Sequence, residues 1–194
     1  EETAFCYGDF STYEKITFTS GSTGTAKGVR LSLTTLESTA QAIAAALQPL
    51  SVESHLGVLP FATLLENIAG LYAPLLQGVR IHVRSLAQLG LASPEQFNPF
   101  LLLNEIQNVK PHATILVPQL LLALVSLRQR GMQTGDSFRF IAVGGGKVAS
   151  ALLQQDPRWM VVAFGNSLHV SAENRGRRPD LPGWLAEHAG DLDW

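Results

Sequence analysis

The chain has 194 residues, of which 46% are hydrophobic and only 15% charged, and a formal net charge of −2. That length carries one domain with a full core, or part of a larger one. The near-neutral charge gives no electrostatic reason to expect nucleic acid or an anionic membrane as partner, and a lone cysteine, Cys6, excludes an internal disulfide framework.

In chain order, Lys15-Ile-Thr-Phe-Thr19 reads as a strand entering the Ser/Thr/Gly-rich stretch 19–28. A helix over 33–47, or 34–48, follows, with Leu36, Ile43, Ala44 and Leu47 on one face and Thr34 and Glu37 at capping-box spacing. Further strands are expected at 55–59, 79–84, 113–117, 138–143 and 159–164, and further helices at 64–76, 97–109, 119–129 and 148–155. Val79-Arg-Ile-His-Val-Arg84 alternates apolar and polar residues, the pattern of an edge or one-sided strand. The other strands are more continuously apolar, as in a sheet covered on both faces. Alternating strands and helices imply an α/β fold whose mostly parallel sheet is flanked by helices, with ligands beyond the carboxyl ends of the strands.

Thr-Ser-Gly-Ser-Thr-Gly-Thr-Ala-Lys-Gly, residues 19–28, suits a loop that wraps a polyphosphate. Glycines admit positive φ and close backbone approach, their N–H groups form an anion nest, hydroxyls add donors, and Lys27 adds a point charge. Two residues separate Gly21 from Gly24, and Gly28 follows Lys27, so this is not the common NTPase P-loop. The competing reading is a ligand-free linker, against which its strand and helix flanks argue: strand, glycine-rich loop and helix form a common phosphate-binding arrangement. Gly144, Gly145 and Gly146 follow another strand directly and form either a surface for a planar ring or acyl chain, or a tight turn with nothing bound.

Phe18-Thr-Ser-Gly-Ser-Thr-Gly-Thr-Ala-Lys-Gly-Val29 resembles the signature loop of the adenylate-forming, AMP-binding enzyme superfamily, with Ala26 where proline is usual. That superfamily includes acyl-CoA synthetases and the adenylation domains of peptide synthetases. The resemblance covers 13–165 and implies a partial AMP-binding large domain over 1–165, followed by a divergent tail over 166–194. It implies a carboxylate attacking the α-phosphorus of ATP, with Mg2+ as cofactor, then a thiol, usually CoA, attacking the acyl-adenylate. Thr19, Ser20, Ser22, Thr23 and the N–H groups of Gly21 and Gly24 would hold the β- and γ-phosphates, with Lys27 assisting pyrophosphate. Gly144, Gly145 and Gly146 would border adenine and the acyl group. Phe164-Gly165-Asn166-Ser167 is similar to a family motif whose aromatic stacks near adenine and whose hydroxyl approaches phosphate. The magnesium-coordinating glutamate of that motif is Leu168 here, which cannot bind a metal.

Leu59-Pro-Phe-Ala-Thr-Leu-Leu-Glu-Asn67 is similar to the segment gating the acyl pocket, with Thr63 where many acyl-CoA synthetases carry histidine. On its own chemistry Glu66 reads as a solvated or helix-terminus carboxylate rather than a catalyst. The segment 59–76 looks closest to synthetases of long-chain fatty acids. No equivalent of the family's C-terminal lysine is found, which implies a fragment inactive alone. Two alternatives remain: a non-catalytic nucleotide-binding or interaction module, and an unrelated α/β phosphotransferase. Low charge suggests that part of the surface is normally covered, by a partner or by self-association.

No signal peptide is visible ahead of Glu1-Glu2, and the apolar stretch 113–127 is interrupted by Pro118-Gln119 and falls short of a membrane span. With the single cysteine this fits a reducing, cytoplasmic setting. The five histidines show no metal-ligand spacing.

Overall fold

In the computed structural model, residues 14–19, 27–92, 97–146, 161–163 and 170–171 are described. The expected helix over 148–155 and most of the tail lie outside the described residues.

Among the described residues, eight strands form two sheets. Strands β1 (Glu14–Thr19) and β2 (Lys27–Ser32) pair antiparallel as a separate hairpin, in register from Glu14↔Ser32 to Thr19↔Lys27. This corrects the expectation of strand, loop and helix: a second strand stands between the loop and helix α1 (Leu33–Leu47). Its cause is the alternation Val29-Arg30-Leu31-Ser32, which gives β2 one apolar face. Helix α1 starts earlier than the expected capping box. Ser32 is the N-cap, its Oγ accepting from the Thr35 N–H at 3.1 Å, and Thr34 already lies inside the helix.

The second sheet contains β3 (Ser54–Gly57), β4 (Arg80–Val83), β5 (Ala113–Leu116), β6 (Phe140–Val143), β7 (Val161–Ala163) and β8 (Val170–Ser171). The spatial order is β4-β3-β5-β6-β7-β8, with every neighbouring pair parallel except β7 and β8. The alternating strand β4 is at the edge, as its pattern requires.

All residues of β5 and β6 are buried, and they alternate between two cores. Leu116, Ile141 and Val143 join Leu56, Leu102, Ile106, Leu121 and Leu124 on the face covered by α4 (Pro99–Val109) and α5 (Pro118–Gln129). Ala113, Ile115, Phe140 and Ala142 pack with Leu47 and Ala69 on the other face. Each fully buried Leu or Ile removes enough apolar surface to stabilise the fold by about 1.5–3 kcal/mol. Proline starts both α4 and α5, where its missing N–H costs nothing.

The segment expected as one helix over 64–76 is α2 (Leu64–Asn67), a π-helical turn (Ile68–Tyr72) and α3 (Ala73–Leu76). Pro74 gives a reason for the widened turn. It has no N–H for the Gly70 carbonyl, and its ring would crowd that carbonyl in a regular α-helix. The Ala73 N–H bonds instead to the Ile68 carbonyl.

Candidate active site

The hairpin brings the two ends of the hydroxyl-rich loop together. Thr19 and Lys27 are opposite one another in the ladder, so residues 20–26 must reverse the chain between them. Ser20, Gly21, Ser22, Thr23 and Gly24 lie outside the described residues; of Thr19 and Lys27 the backbone alone is described. Next to the mouth, Gly28 is needed for space: a Cβ there would stand 3.0 Å from Ile16 Cγ2 and 3.5 Å from Phe18 Cε1. The Phe18 ring is nevertheless 70% exposed.

The inner face of the hairpin docks beside α1 and the π-helical turn. Leu31 packs on the cluster of Leu36, Ala40 and Ile68, with Tyr72 alongside. Lys15 donates through Nζ to Asn67 Oδ1, and its ammonium lies 5.3 Å from the centroid of the Tyr72 ring. Thr17 is buried, and its hydroxyl has no hydrogen-bond partner among the described residues.

Gly144, Gly145 and Gly146 leave the carboxyl end of β6, beside the point where Val117 and Pro118 leave β5. The Gly144 N–H donates to the Leu116 carbonyl at 3.1 Å, which continues the ladder one step past the strands. Gly145 has φ +80°, a left-handed conformation that favours glycine. Gly145 and Gly146 are exposed, and Cβ atoms on them would meet only Val117 and Pro118, among the described residues, at ordinary contact distances. The turn therefore offers bare backbone at the carboxyl edge of a parallel sheet, where ligands of such sheets bind. Phe164, Gly165, Ser167 and Leu168 lie outside the described residues.

Glu66 is not solvated. It is fully buried in the first turn of α2, with Oε1 3.1 Å from His55 Nε2 on β3. Its second oxygen, Oε2, has no hydrogen-bond partner among the described residues. Gly70 makes room for the pair: a Cβ there would stand 2.5 Å from Glu66 Oε1 and 2.9 Å from His55 Nε2. Thr63 is the N-cap residue, but its hydroxyl donates to the Pro60 carbonyl at 2.8 Å instead of accepting from the helix. A glutamate followed four residues later by glycine, inside an otherwise apolar helix, is the sequence signal available for a buried carboxylate.

Two other histidines are held toward the neutral form. Burial lowers the His82 pKa, and Arg84, Arg80 and His55 add repulsion. Burial also lowers that of His112, with repulsion from Arg139 and partial opposition from Glu53. His112 Nδ1 accepts from the Glu53 N–H at 3.1 Å, a bond that suits the neutral ring. Among the described residues, no group of three or more His, Cys, Asp or Glu side chains is arranged to hold a metal. Among them, also, no helix is long and apolar enough to cross a membrane.

The described residues thus show a parallel α/β sheet with a glycine turn at its carboxyl edge and, as a separate sheet, a hairpin whose strands flank residues 20–26. The sequence model of the AMP-binding enzyme family matches residues 15–169, and the chain belongs to that family. Solved structures agree on the fold. The inhibitor-bound N-terminal domain of FACL13 from Mycobacterium tuberculosis superposes with a TM-score of 0.62 at 20% identity, covering 86% of this chain and 39% of that one. The O-succinylbenzoate CoA synthetase MenE from Bacillus subtilis, solved with AMP, gives 0.55 at 21%, covering 78% and 29%. A long-chain-fatty-acid-CoA ligase, FadD1, from Archaeoglobus fulgidus gives 0.56 at 22%, covering 76% and 30%. The chain thus spans about two fifths or less of these structures. No curated protein sequence matches it significantly.

Proposed function

We propose that the chain is the nucleotide-binding part of an ATP-dependent, AMP-forming acyl-CoA synthetase that activates a fatty acid carboxylate, and that it does not turn over alone. The observation that supports this most directly is the hairpin closure at Thr19↔Lys27 inside the matched family region. That pairing brings the two ends of residues 20–26 together, and those residues include two glycines, two serines and two threonines. Such a loop fits the β- and γ-phosphates: preorganised N–H and O–H donors stabilise the charge that develops as the carboxylate attacks the α-phosphorus. Lys27 stands at the mouth to accompany pyrophosphate. Gly144, Gly145 and Gly146 would receive the flat base and the acyl group, because bare backbone is what they present. Phe164, Gly165 and Ser167 would close the base and phosphate side. Magnesium is the expected ion of this chemistry; among the described residues no group of three or more His, Cys, Asp or Glu side chains is arranged to hold it.

The reading assigns 1–165 to the family's large domain and 166–194 to a divergent tail, with CoA as acceptor in a cytoplasmic setting. Lack of turnover alone is supported by the two-fifths coverage, and by apolar side chains exposed on the hairpin, Phe18 at 70% and Ile16 at 56%, which a further part of such an enzyme would cover. Calorimetric titration with ATP, and with a fatty acyl-adenylate analogue, tests the site. Loss of one charge-assisted donor is worth about 1.5–3 kcal/mol, so Lys27→Ala and Thr23→Ala are expected to weaken ATP about tenfold or more. Unchanged affinity in both variants removes the loop from the site. Formation of fatty acyl-CoA by the chain alone overturns the claim that it is inactive.

A further inference from the structure

We propose that Lys15 is a positioning residue, which anchors the hairpin bearing residues 20–26 to the core through Asn67 and Tyr72. This rests on the loop being the phosphate site. Among the described residues the hairpin forms no ladder with the six-stranded sheet, and an isolated two-stranded hairpin is marginal in water. Among the described residues, side-chain contacts made by its inner face therefore contribute to its orientation. Residues 15 and 17 share that face because strand side chains alternate, so Lys15 is on the buried side of β1. Thr17, on the same face, is buried, and its hydroxyl has no hydrogen-bond partner among the described residues. Leu31 contributes apolar packing, which fixes distance better than direction. The ammonium of Lys15 supplies the directional contacts, to the Asn67 carbonyl oxygen and the Tyr72 ring face.

The π-helical turn explains how one ammonium reaches both groups. In a regular α-helix, residues five apart point about 140° away from each other. The widened turn over Ile68–Tyr72 stacks positions five apart, which brings Asn67 and Tyr72 toward one side. Below the same turn lie Gly70, Glu66 and His55, so the anchor stands on a buried, hydrogen-bonded base rather than on a free helix end.

The test compares Lys15→Met, which keeps the aliphatic stem, with Lys15→Arg, which restores the cation and donor, and with Tyr72→Leu. Hydrogen exchange of the ligand-free chain reads the anchor directly. In Lys15→Met, amides of β1 and β2 are expected to exchange about tenfold faster or more, equivalent to about 1.4 kcal/mol of local opening, while β5 and β6 keep their protection. Tyr72→Leu moves the same way by less, and Lys15→Arg stays near the parent. ATP titration of the same variants is expected to weaken in the same order. Unchanged hairpin exchange in Lys15→Met overturns the proposal, as does equal loss of protection in β5 and β6, which would mark a merely structural lysine. If the parent chain fails to bind ATP, the phosphate-site reading fails, and the exchange data still decide whether Lys15 anchors the hairpin.

Discussion

Gly70→Ala probes the tightest packing around the buried pair. The added Cβ would lie 2.5 Å from Glu66 Oε1, 2.9 Å from Glu66 Cδ and 2.9 Å from His55 Nε2. Carbon atoms do not approach that closely, so the carboxylate or the imidazole must move. Both are buried and joined by a 3.1 Å hydrogen bond, so movement breaks that bond. Overpacking of this kind costs about 1–3 kcal/mol, and breaking a buried ionisable pair costs up to about 3–5 kcal/mol. Against this, replacing glycine within a helix gains about 0.5–1 kcal/mol. Breaking the pair relieves the overpacking, so the larger cost alone applies, and the balance is a loss of about 2–4.5 kcal/mol, a large share of the roughly 5–15 kcal/mol typical of a domain. Urea unfolding followed by far-UV circular dichroism measures it, with the same substitution made in a Glu66→Ala background. There the carboxylate is gone and the imidazole has room to shift, so Gly70→Ala should cost less than about 1 kcal/mol. An equal cost in both backgrounds, or a cost below about 0.5 kcal/mol in the parent, would refute the packing argument.

Four further outcomes follow from other parts of the molecule. Leu124→Ala, at a fully buried position on α5, should cost about 2–5 kcal/mol in the same unfolding assay. Gly135→Ala should cost about 2 kcal/mol or more, because Gly135 has φ +82° and its Cβ would stand 2.3 Å from two ring carbons of Phe138. Gly145→Ala meets no such crowding, so its strain of about 1 kcal/mol should leave the fold intact while ATP affinity falls; unchanged affinity would count against the turn as a base-binding surface. For His112 the folded pKa lies below the ordinary value of 6.5, so on acidification the unfolded chain takes up the proton first. Its contribution is complete above about pH 6.5 and is lost as pH falls from there toward the folded value. Unfolding free energy should therefore drop more steeply below pH 6.5 in the parent than in His112→Gln, and parallel curves would contradict this.

The sheet is legible in the sequence because its strands are buried on both faces. Ala113 to Leu116 and Phe140 to Val143 are nearly all apolar, and such runs between helical patterns leave few alternatives to a covered parallel sheet. Strand β2 escapes a reading of the sequence for a local reason. Lys27 and Gly28 carry the chemistry of the loop, and assigning them to it hides the alternation of Val29 and Leu31 that pairs them with β1. For Glu66 the helix-terminus reading holds, since it is in the first turn of α2, and only its burial escapes the sequence, because a single carboxylate in an apolar helix defaults to solvent. Its partner His55 is on a strand, and the spatial match appears only once β3 and α2 are packed. The loop reading rests on composition, and residues 20–26 lie outside the described residues. Lys15, by contrast, looks like any strand lysine, because the π-helical turn that brings Asn67 and Tyr72 to it depends on Pro74 and on the packing around Gly70.

The separation of the two sheets bears on how a phosphate site at residues 20–26 would work. A loop inserted between strands of the main sheet would share the rigidity of the core, since displacing it would break a ladder bonded on both sides. Residues 20–26 instead hang from a hairpin that forms its own two-stranded sheet, docked through an apolar patch and an ammonium. Moving that hairpin breaks a few side-chain contacts and leaves the cores around Leu116 and Phe140 untouched. The cost of displacing β1 and β2 would then be set in part by contacts at Asn67 and Tyr72 rather than by the stability of the sheet. The Gly144 to Gly146 turn has the opposite character, because the Gly144 N–H is bonded to the Leu116 carbonyl and moves with the core. Anything bound at that turn would therefore rest on the core, whereas the position of β1 and β2 answers to the contacts of Leu31 and Lys15.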